Sequence, residues 1–231
     1  MKKIFLDKGH GGSDPGAVAN GLQEKTLTHQ IVEYAVDHLF ENYTGFELRV
    51  SRAGDQTLTL SQRAKMANDW GADVFVSVHI NAGKGTGFES YVYNGGVSSQ
   101  TIALQNVLHG EILFAMRGFG AITDRGKKRA NYAVLRETKM PAVLTENLFI
   151  DSNDAKYLKN EAFLKAVGEA HARGVAKFLG LPQKAKPQPQ KQQKESDGKL
   201  YRVQVGAFSD RENAERLAEE LKGQGYPAVI V

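Results

Sequence analysis

Residues 183–199 read QKAKPQPQKQQKESDGK and hold no large apolar side chain. Such a stretch has nothing to bury, and Pro187 and Pro189 favour an extended backbone, so a solvated linker is expected there. It confines any hydrophobic core to two pieces, residues 1–182 and residues 200–231. The first is long enough for one substantial core. The second is too short to be stable by itself.

Within residues 1–182, strand-like and helix-like patterns alternate. Lys2 to Asp7 reads as a short buried strand. Glu24 to Asn42 places Leu27, Ile31, Ala35 and Leu39 on one helical face. Phe46 to Ser51 is strand-like and Leu58 to Trp70 helical. Val74 to His79 is rich in β-branched residues, and Phe88 to Tyr93 reads as a further strand. Ser98 to Met116 is an apolar-rich helix, Pro141 to Thr145 a buried strand, and Ala162 to Leu179 a closing helix. Strands separated by helices predict an α/β fold with a mixed, mostly parallel twisted sheet flanked by helices. The tail reads strand, helix, strand: Leu200 to Val205, Asp210 to Lys222 and Ala228 to Val231. That makes a small C-terminal β-α-β unit.

The chain has no cysteine, which excludes disulfides, thiolate metal sites and a cysteine nucleophile. Its formal charge of +4 suits an acidic polymer only weakly. No groove-reading motif accompanies the basic linker, so nucleic acid is not an expected partner. No apolar run approaches the roughly 20 residues that span a bilayer. Ile4 to Leu6, ended by Asp7, is too short for the apolar region of a signal peptide.

Candidate chemistry sits where strands meet loops. His10 follows the first strand, Glu24 opens the first long helix, and His79 ends the strand that starts at Val74. In an open α/β sheet the carboxyl ends of strands line the functional crevice. Two imidazoles and one carboxylate form a known catalytic zinc set that leaves one position for water. Glu146, after Pro141 to Thr145, is a candidate proton carrier. Gly9, Gly11 and Gly12 need only let the backbone turn; their order is not a dinucleotide fingerprint. On spacing alone each of these residues could equally be structural.

The strings LDKGHGGSDPGAVANGLQEKTLT, VSRAGD, VFVSVHINA, GFESYVY and DRGKKRANYAVLRETKMPAVLTENLFI occur in that order across about residues 2–180. Together they resemble the zinc-dependent N-acetylmuramoyl-L-alanine amidases, especially mother-cell and phage lytic types. The resemblance implies Zn²⁺ as cofactor, His10, Glu24 and His79 as its ligands and Glu146 as the catalytic carboxylate. It implies cleavage between muramic acid and the first alanine of the peptide stem, and a shallow groove for glycan and peptide. A chain made in the cytoplasm without a recognisable signal would then act at the wall after release.

Two positions depart from the family pattern. Lys8 stands where proline is usual, freeing the turn and adding a cation near the metal. Leu148 stands where glycine is frequent. Arg52, Arg63 and Asn68 are expected to be structural. Asn81 and Glu89 are expected to support the ligands rather than touch substrate, the alternative for either, and Arg136 is a weaker candidate for substrate contact. His29, His38, His109 and His171 fall in expected helices without a motif.

In the tail, YRVQVGAF, NAERLAEEL and the G-Y-x-A-x-I-V ending resemble a sporulation-related (SPOR) repeat, a module that binds glycan strands of peptidoglycan. A whole repeat needs two β-α-β units. The expectation is that another chain completes it, through self-association of this half-repeat for example, or that the polypeptide is a piece of a longer one. Two rival readings remain at the sequence level: a zinc peptidase that cuts within the stem, and a non-catalytic wall-binding protein.

Overall fold

The computed structural model describes residues 1–185, 204–223, 225–226 and 228–230. Contacts divide the chain into two units, Met1–Lys186 and Pro187–Val231. In the first unit the elements run β1 (Lys2–Lys8), a small hairpin of β2 (Val18–Ala19) and β3 (Leu22–Gln23), α1 (Glu24–Asn42), β4 (Phe46–Val50), α2 (Leu60–Trp70), β5 (Val74–Asn81) and β6 (Phe88–Tyr93). They continue with α3 (Ser99–Arg117), β7 (Asp124–Ala130), α4 (Ala133–Arg136), β8 (Ala142–Phe149), α5 (Ala155–Leu158) and α6 (Glu161–Leu179).

Six strands form one sheet in the order β4-β1-β5-β8-β6-β7. The first four are mutually parallel, β6 runs antiparallel to β8, and β7 runs parallel to β6. Parallel neighbours need long crossovers, which α1 and α2 provide within the β1–β4–β5 group. The sheet is therefore mixed and largely parallel, as the alternating pattern predicts.

Period-two alternation gives the two sheet faces different jobs. Val74, Val76, Val78 and Ile80 of β5 join Ile4, Leu6 and Val143 in a core with Leu27, Ile31, Leu108, Phe163 and Val167. Those last residues come from α1, α3 and α6, so three long helices cover that face. On the other face Phe5, Phe75, Ala142 and Leu144 pack with Ala67 of α2 and with Val134 and Leu135 of α4. These are the shorter helices, and the polar residues farther along the same strands carry the functional groups described below.

Local signals set the helix ends. Thr59 and Gln62 form a reciprocal capping box, so α2 begins at Leu60 rather than Leu58, and Gly71 ends it in the left-handed conformation. Asn160 caps α6 by accepting from the Ala162 and Phe163 N–H groups. Strand β8 runs beyond Thr145 to Phe149, which puts Glu146 inside the strand, not after it. Strand β7 has no counterpart in the sequence-based pattern, because DRGKKRA carries no apolar alternation. An edge strand needs only one paired side, and charged side chains protect the other.

Two observations concern the linker and the tail. Gln183 bridges to Tyr43, and the Lys184 N–H donates to Asn42 O at 2.8 Å. Composition cannot register such backbone bonds, so the linker's first residues are docked on the first unit. In the second unit α7 (Arg211–Gly223) is present as expected. No strand occurs at the described residues 204–210 or 228–230; the other positions of the two expected strands lie outside the described residues. A strand pair without a neighbouring sheet has little to hold it.

One buried histidine links fold and pH. On α6, His171 donates through Nδ1 to Val167 O at 2.8 Å, and its Nε2 faces Thr145 Oγ1 of β8 at 3.0 Å. Burial disfavours its charged form and lowers its pKa from 6.5 to about 4, against the modest opposing effect of the Val167 carbonyl. Between pH 6.5 and pH 4 the unfolded chain binds this proton and the folded chain does not. Stability is thus complete above pH 6.5 and falls by about 3 kcal/mol as pH drops toward 4. Urea unfolding across that range should show this loss in wild type and a flatter profile in His171→Gln; equal slopes would refute it.

Candidate metal centre

The carboxyl ends of β1 and β5 lie side by side, with Lys8 opposite Val78. From there the chain turns into Gly9 and His10. The His10 φ is +61°, a left-handed conformation rare for a side-chain-bearing residue. Neighbouring groups hold it there. Arg63 of α2, itself buried, donates to His10 O at 2.7 Å and to Asp7 Oδ1 at 2.7 Å. Burial would raise the Asp7 pKa, but the Arg63 charge and the Ser77 and Arg63 hydrogen bonds keep it below its usual value. Arg52 donates mainly to backbone carbonyls, including Lys25 O at 2.6 Å. Asn68 joins α2 to Glu137 O and the Lys139 N–H. All three residues act structurally.

The β2–β3 hairpin delivers Glu24 to the first position of α1, where the exposed N–H groups of the helix favour an anion. Its Oε1 lies 3.1 Å from His10 Nε2 and 3.0 Å from His79 Nδ1. Oε1 also accepts from Ile80 N at 3.0 Å, and Oε2 from Ala17 N at 2.9 Å. Burial raises the Glu24 pKa, yet the two imidazoles hold it far below the usual carboxylate range. Burial likewise opposes charge on His10, but Glu24 and then Asp14 outweigh it and push its pKa up to about 9. His79 moves the same way, with Glu24 again overcoming burial.

One donor atom from each of His10, Glu24 and His79 lies within 4.8 Å of the others, so the three could hold a metal ion. A tetrahedral ion with bonds of about 2.1 Å sets its ligand atoms roughly 3.4 Å apart, near the two separations above. The pocket is also close-walled. A Cβ on Gly9 would fall 2.6 Å from His79 Cε1, and one on Gly16 2.6 Å from Glu24 Oε2. Gly16 has φ +65° as well. The site thus depends on two glycines for backbone approach rather than for turning alone.

Glu146 is the direct cross-strand partner of His79. Its Oε2 is buried and has no hydrogen-bond partner among the described residues. Burial, reinforced by the charges of Glu24 and Glu89, raises its pKa to about 7, while His79 and His10 pull the other way. Just beyond it the register slips: His79 pairs with Glu146 but Asn81 with Phe149, so β8 carries an extra residue. Leu148 occupies this bulge with φ +70° and is fully buried. A left-handed conformation explains why glycine suits the position.

Lys8 differs from its expectation. It is fully buried and its ammonium pairs with Glu33, nine residues along α1 from Glu24, so the cation is not directed at the cluster. The strand pleat turns Lys8 toward α1 while Asp7 faces α2. Asn81 and Glu89 bond each other at 2.6 Å and, among the described residues, form no hydrogen bond to the three clustered side chains. Arg136 is held by Asn131 Oδ1 at 2.6 Å and Glu137 at 3.2 Å. His109 bridges Ser90 and Asp124 on the far face.

Comparison with known proteins identifies the family. A family model described as N-acetylmuramoyl-L-alanine amidase matches residues 4–177. The chain belongs to the N-acetylmuramoyl-L-alanine amidase family. A second model, the SPOR domain, matches residues 172–231. The amidase is 45% identical over 232 residues to the sporulation-specific N-acetylmuramoyl-L-alanine amidase of Bacillus subtilis, covering 100% of this chain and 85% of that one. It is 46% identical over 208 residues to the endolysin of Bacillus phage SPP1, covering 88% and 76% respectively. The catalytic domain of CwlV from Bacillus (Paenibacillus) polymyxa var. colistinus superposes with a TM-score of 0.72 at 33% identity, covering 79% of this chain and all of that one.

Sequence reasoning passed over Asp14. Its Oδ2 lies 2.8 Å from His10 Nδ1, and its Oδ1 accepts from Gly16 N at 3.0 Å. Burial raises its pKa only to be outweighed by His10 and the Gly16 N–H, so it stays ionised. The spacing of four residues from His10 was the available signal. A carboxylate on the outer ring nitrogen fixes the tautomer that presents Nε2 inward. Asp14→Ala should weaken metal affinity about 10–100-fold, as measured by competition with a chromophoric chelator. Unchanged affinity would remove Asp14 from the site.

Proposed function

We propose that the N-acetylmuramoyl-L-alanine amidase activity of this chain runs through one zinc ion held by His10, Glu24 and His79, with Glu146 moving the proton. The observation that carries this reading is the convergence of the three donors from β1, α1 and β5, with Glu146 beside His79 in the sheet. The donor chemistry, two imidazoles and one carboxylate, suits zinc with one position left open. When bound, zinc would supply a Lewis acid and make water acidic near neutral pH.

The chain's own groups do the rest. Asp14 and the Ala17 and Ile80 N–H groups keep His10 and Glu24 in place. Glu146 accepts a proton from the attacking water as its oxygen joins the lactyl carbonyl carbon. It then returns that proton to the alanine nitrogen as the carbon–nitrogen bond breaks. A carboxyl whose pKa lies near 7 is suited to both transfers.

Glu146→Gln should keep its zinc and lose about 10²–10⁴-fold in turnover, whereas His79→Ala should lose both. Mass spectrometry of digested wall material should show intact peptides beginning with L-alanine, and a chelator should stop their release. Cleavage inside the stem would favour the peptidase reading. Full turnover by zinc-loaded Glu146→Gln would end the assignment of Glu146.

Residues 1–182 are assigned to catalysis and residues 200–231 to attachment on wall glycan, joined by the segment between. The SPOR match supports the second assignment. Among the described residues no helix is long and apolar enough to cross a membrane, and the enzyme is assigned to act at the wall after release. In the tail Val205, Tyr226 and Val229 are exposed at 65%, 62% and 83%, apolar surface that a second half-repeat would cover. Self-association through this surface is proposed. Sedimentation of the isolated segment 183–231 should show concentration-dependent dimers, and a folded monomer at all concentrations would refute the pairing.

A further inference from the structure

We propose that Arg125 and Lys128 of β7 form a subsite for a carboxylate of the substrate's peptide stem, on the side of Glu146 away from the His10, Glu24 and His79 cluster. The inference rests on the amidase reading above and names the substrate chemistry it would select.

Three strands bring titratable groups into one row. His79 of β5 lies opposite Glu146 of β8, and Glu146 opposite Glu89 of β6. Beyond Glu89 comes the edge strand β7. Arg125 Nε donates to Glu89 Oε2 at 2.8 Å, and the Lys128 ammonium bonds the same oxygen. Glu89 Oε1 accepts from Asn81 at 2.6 Å and from Tyr91 OH at 3.0 Å.

This arrangement has one cation too many for a structural ion pair. Glu89, with its side chain only 3% exposed, is already satisfied by Asn81, Tyr91 and a single basic partner. Two cations on one carboxylate leave a net positive charge at the rim. Their side chains are 33% and 37% exposed. Apart from a long 3.5 Å approach of Arg125 to Thr86 O, their remaining N–H groups have no protein acceptor among the described residues. Both are also held in place. The Arg125 guanidinium lies 4.8 Å over the Phe149 ring, and Lys128 Nζ 5.9 Å from the Tyr91 ring. Partly exposed donors that are held in place and carry excess positive charge are what an anion subsite requires.

Distance gives the position on the stem. Neighbouring strands lie about 4.8 Å apart, so β7 is roughly 10 Å from β8 and roughly 14 Å from β5. An extended peptide advances about 3.3–3.6 Å per residue. A stem whose first amide sits at the cluster would therefore bring a carboxylate from its first three or four residues onto Arg125 and Lys128.

The test compares synthetic muramyl peptides in which a stem carboxylate is either free or converted to the carboxamide. Wild-type enzyme, zinc-loaded and full length, should cleave the free acid with kcat/KM higher by about tenfold or more, the yield of one charge-assisted hydrogen bond. The preference should shrink as salt rises from about 0.05 to 0.5 M, because the cations are partly exposed. Lys128→Met leaves Arg125 on Glu89 and should bring the two substrates close to parity. Equal wild-type rates on acid and amide, or an undiminished preference in Lys128→Met, would overturn the subsite while the amidase reading stands. Failure to cleave either substrate would overturn both.

Discussion

The structure turns on one buried carboxylate placed between two imidazoles. Glu24 brings a negative charge to a nearly buried position, where charge is costly unless compensated. Compensation comes from four directions at once: His10, His79 and the N–H groups of Ala17 and Ile80. They come from three parts of the chain, the turn after β1, the residue before the β2–β3 hairpin and the end of β5, so holding Glu24 means holding all three against the start of α1. Without an ion Glu24 favours the protonated form of both imidazoles. An ion would replace those protons with a charge of the same sign, which the same frame accommodates.

The unequal covering of the two sheet faces leaves this site accessible. Three long helices enclose one face, and its polar groups, such as His109 and His171, are internal and partnered. The other face has α2 and the single turn of α4 over its apolar part. Farther along, His79, Glu146 and Glu89 occupy the row that an apolar core would otherwise fill. Arg63 marks the transition, as the last strongly buried group from α2, and it turns its donors to the backbone that presents His10. The same helix packs the apolar half of the face and braces the functional half.

Legibility in the sequence followed the physical range of each signal. Strands and helices that bury one face were readable, because burial imposes a period. The four candidate site residues stood out through the family resemblance of the ordered strings that contain them, since spacing alone left each open to a structural role. Strand β7 was not, since an exposed edge obeys no apolar period. Asp14 was passed over because a four-residue spacing from His10 in a loop, unlike one in a helix, does not by itself place two side chains together. Lys8 was assigned to the wrong neighbourhood, because proximity in sequence to Gly9 and His10 says nothing of the side on which a strand residue emerges. Leu148 stood out by its residue type, and its positive φ supplied the reason.

The amino-acid order by itself determined where the core could and could not lie, which segments alternate as strand and helix, and which residues could carry metal and proton chemistry. Those properties follow from local periodicity and residue chemistry, both of which act over a few positions. Only the tertiary structure decided that His10, Glu24 and His79 share one space, that Glu146 stands beside them inside a strand, and that Glu89 gathers two cations beyond it. These depend on strand register and on the pleat. A shift of one residue reverses which side of the sheet a group faces, and the packing of the whole domain selects the register.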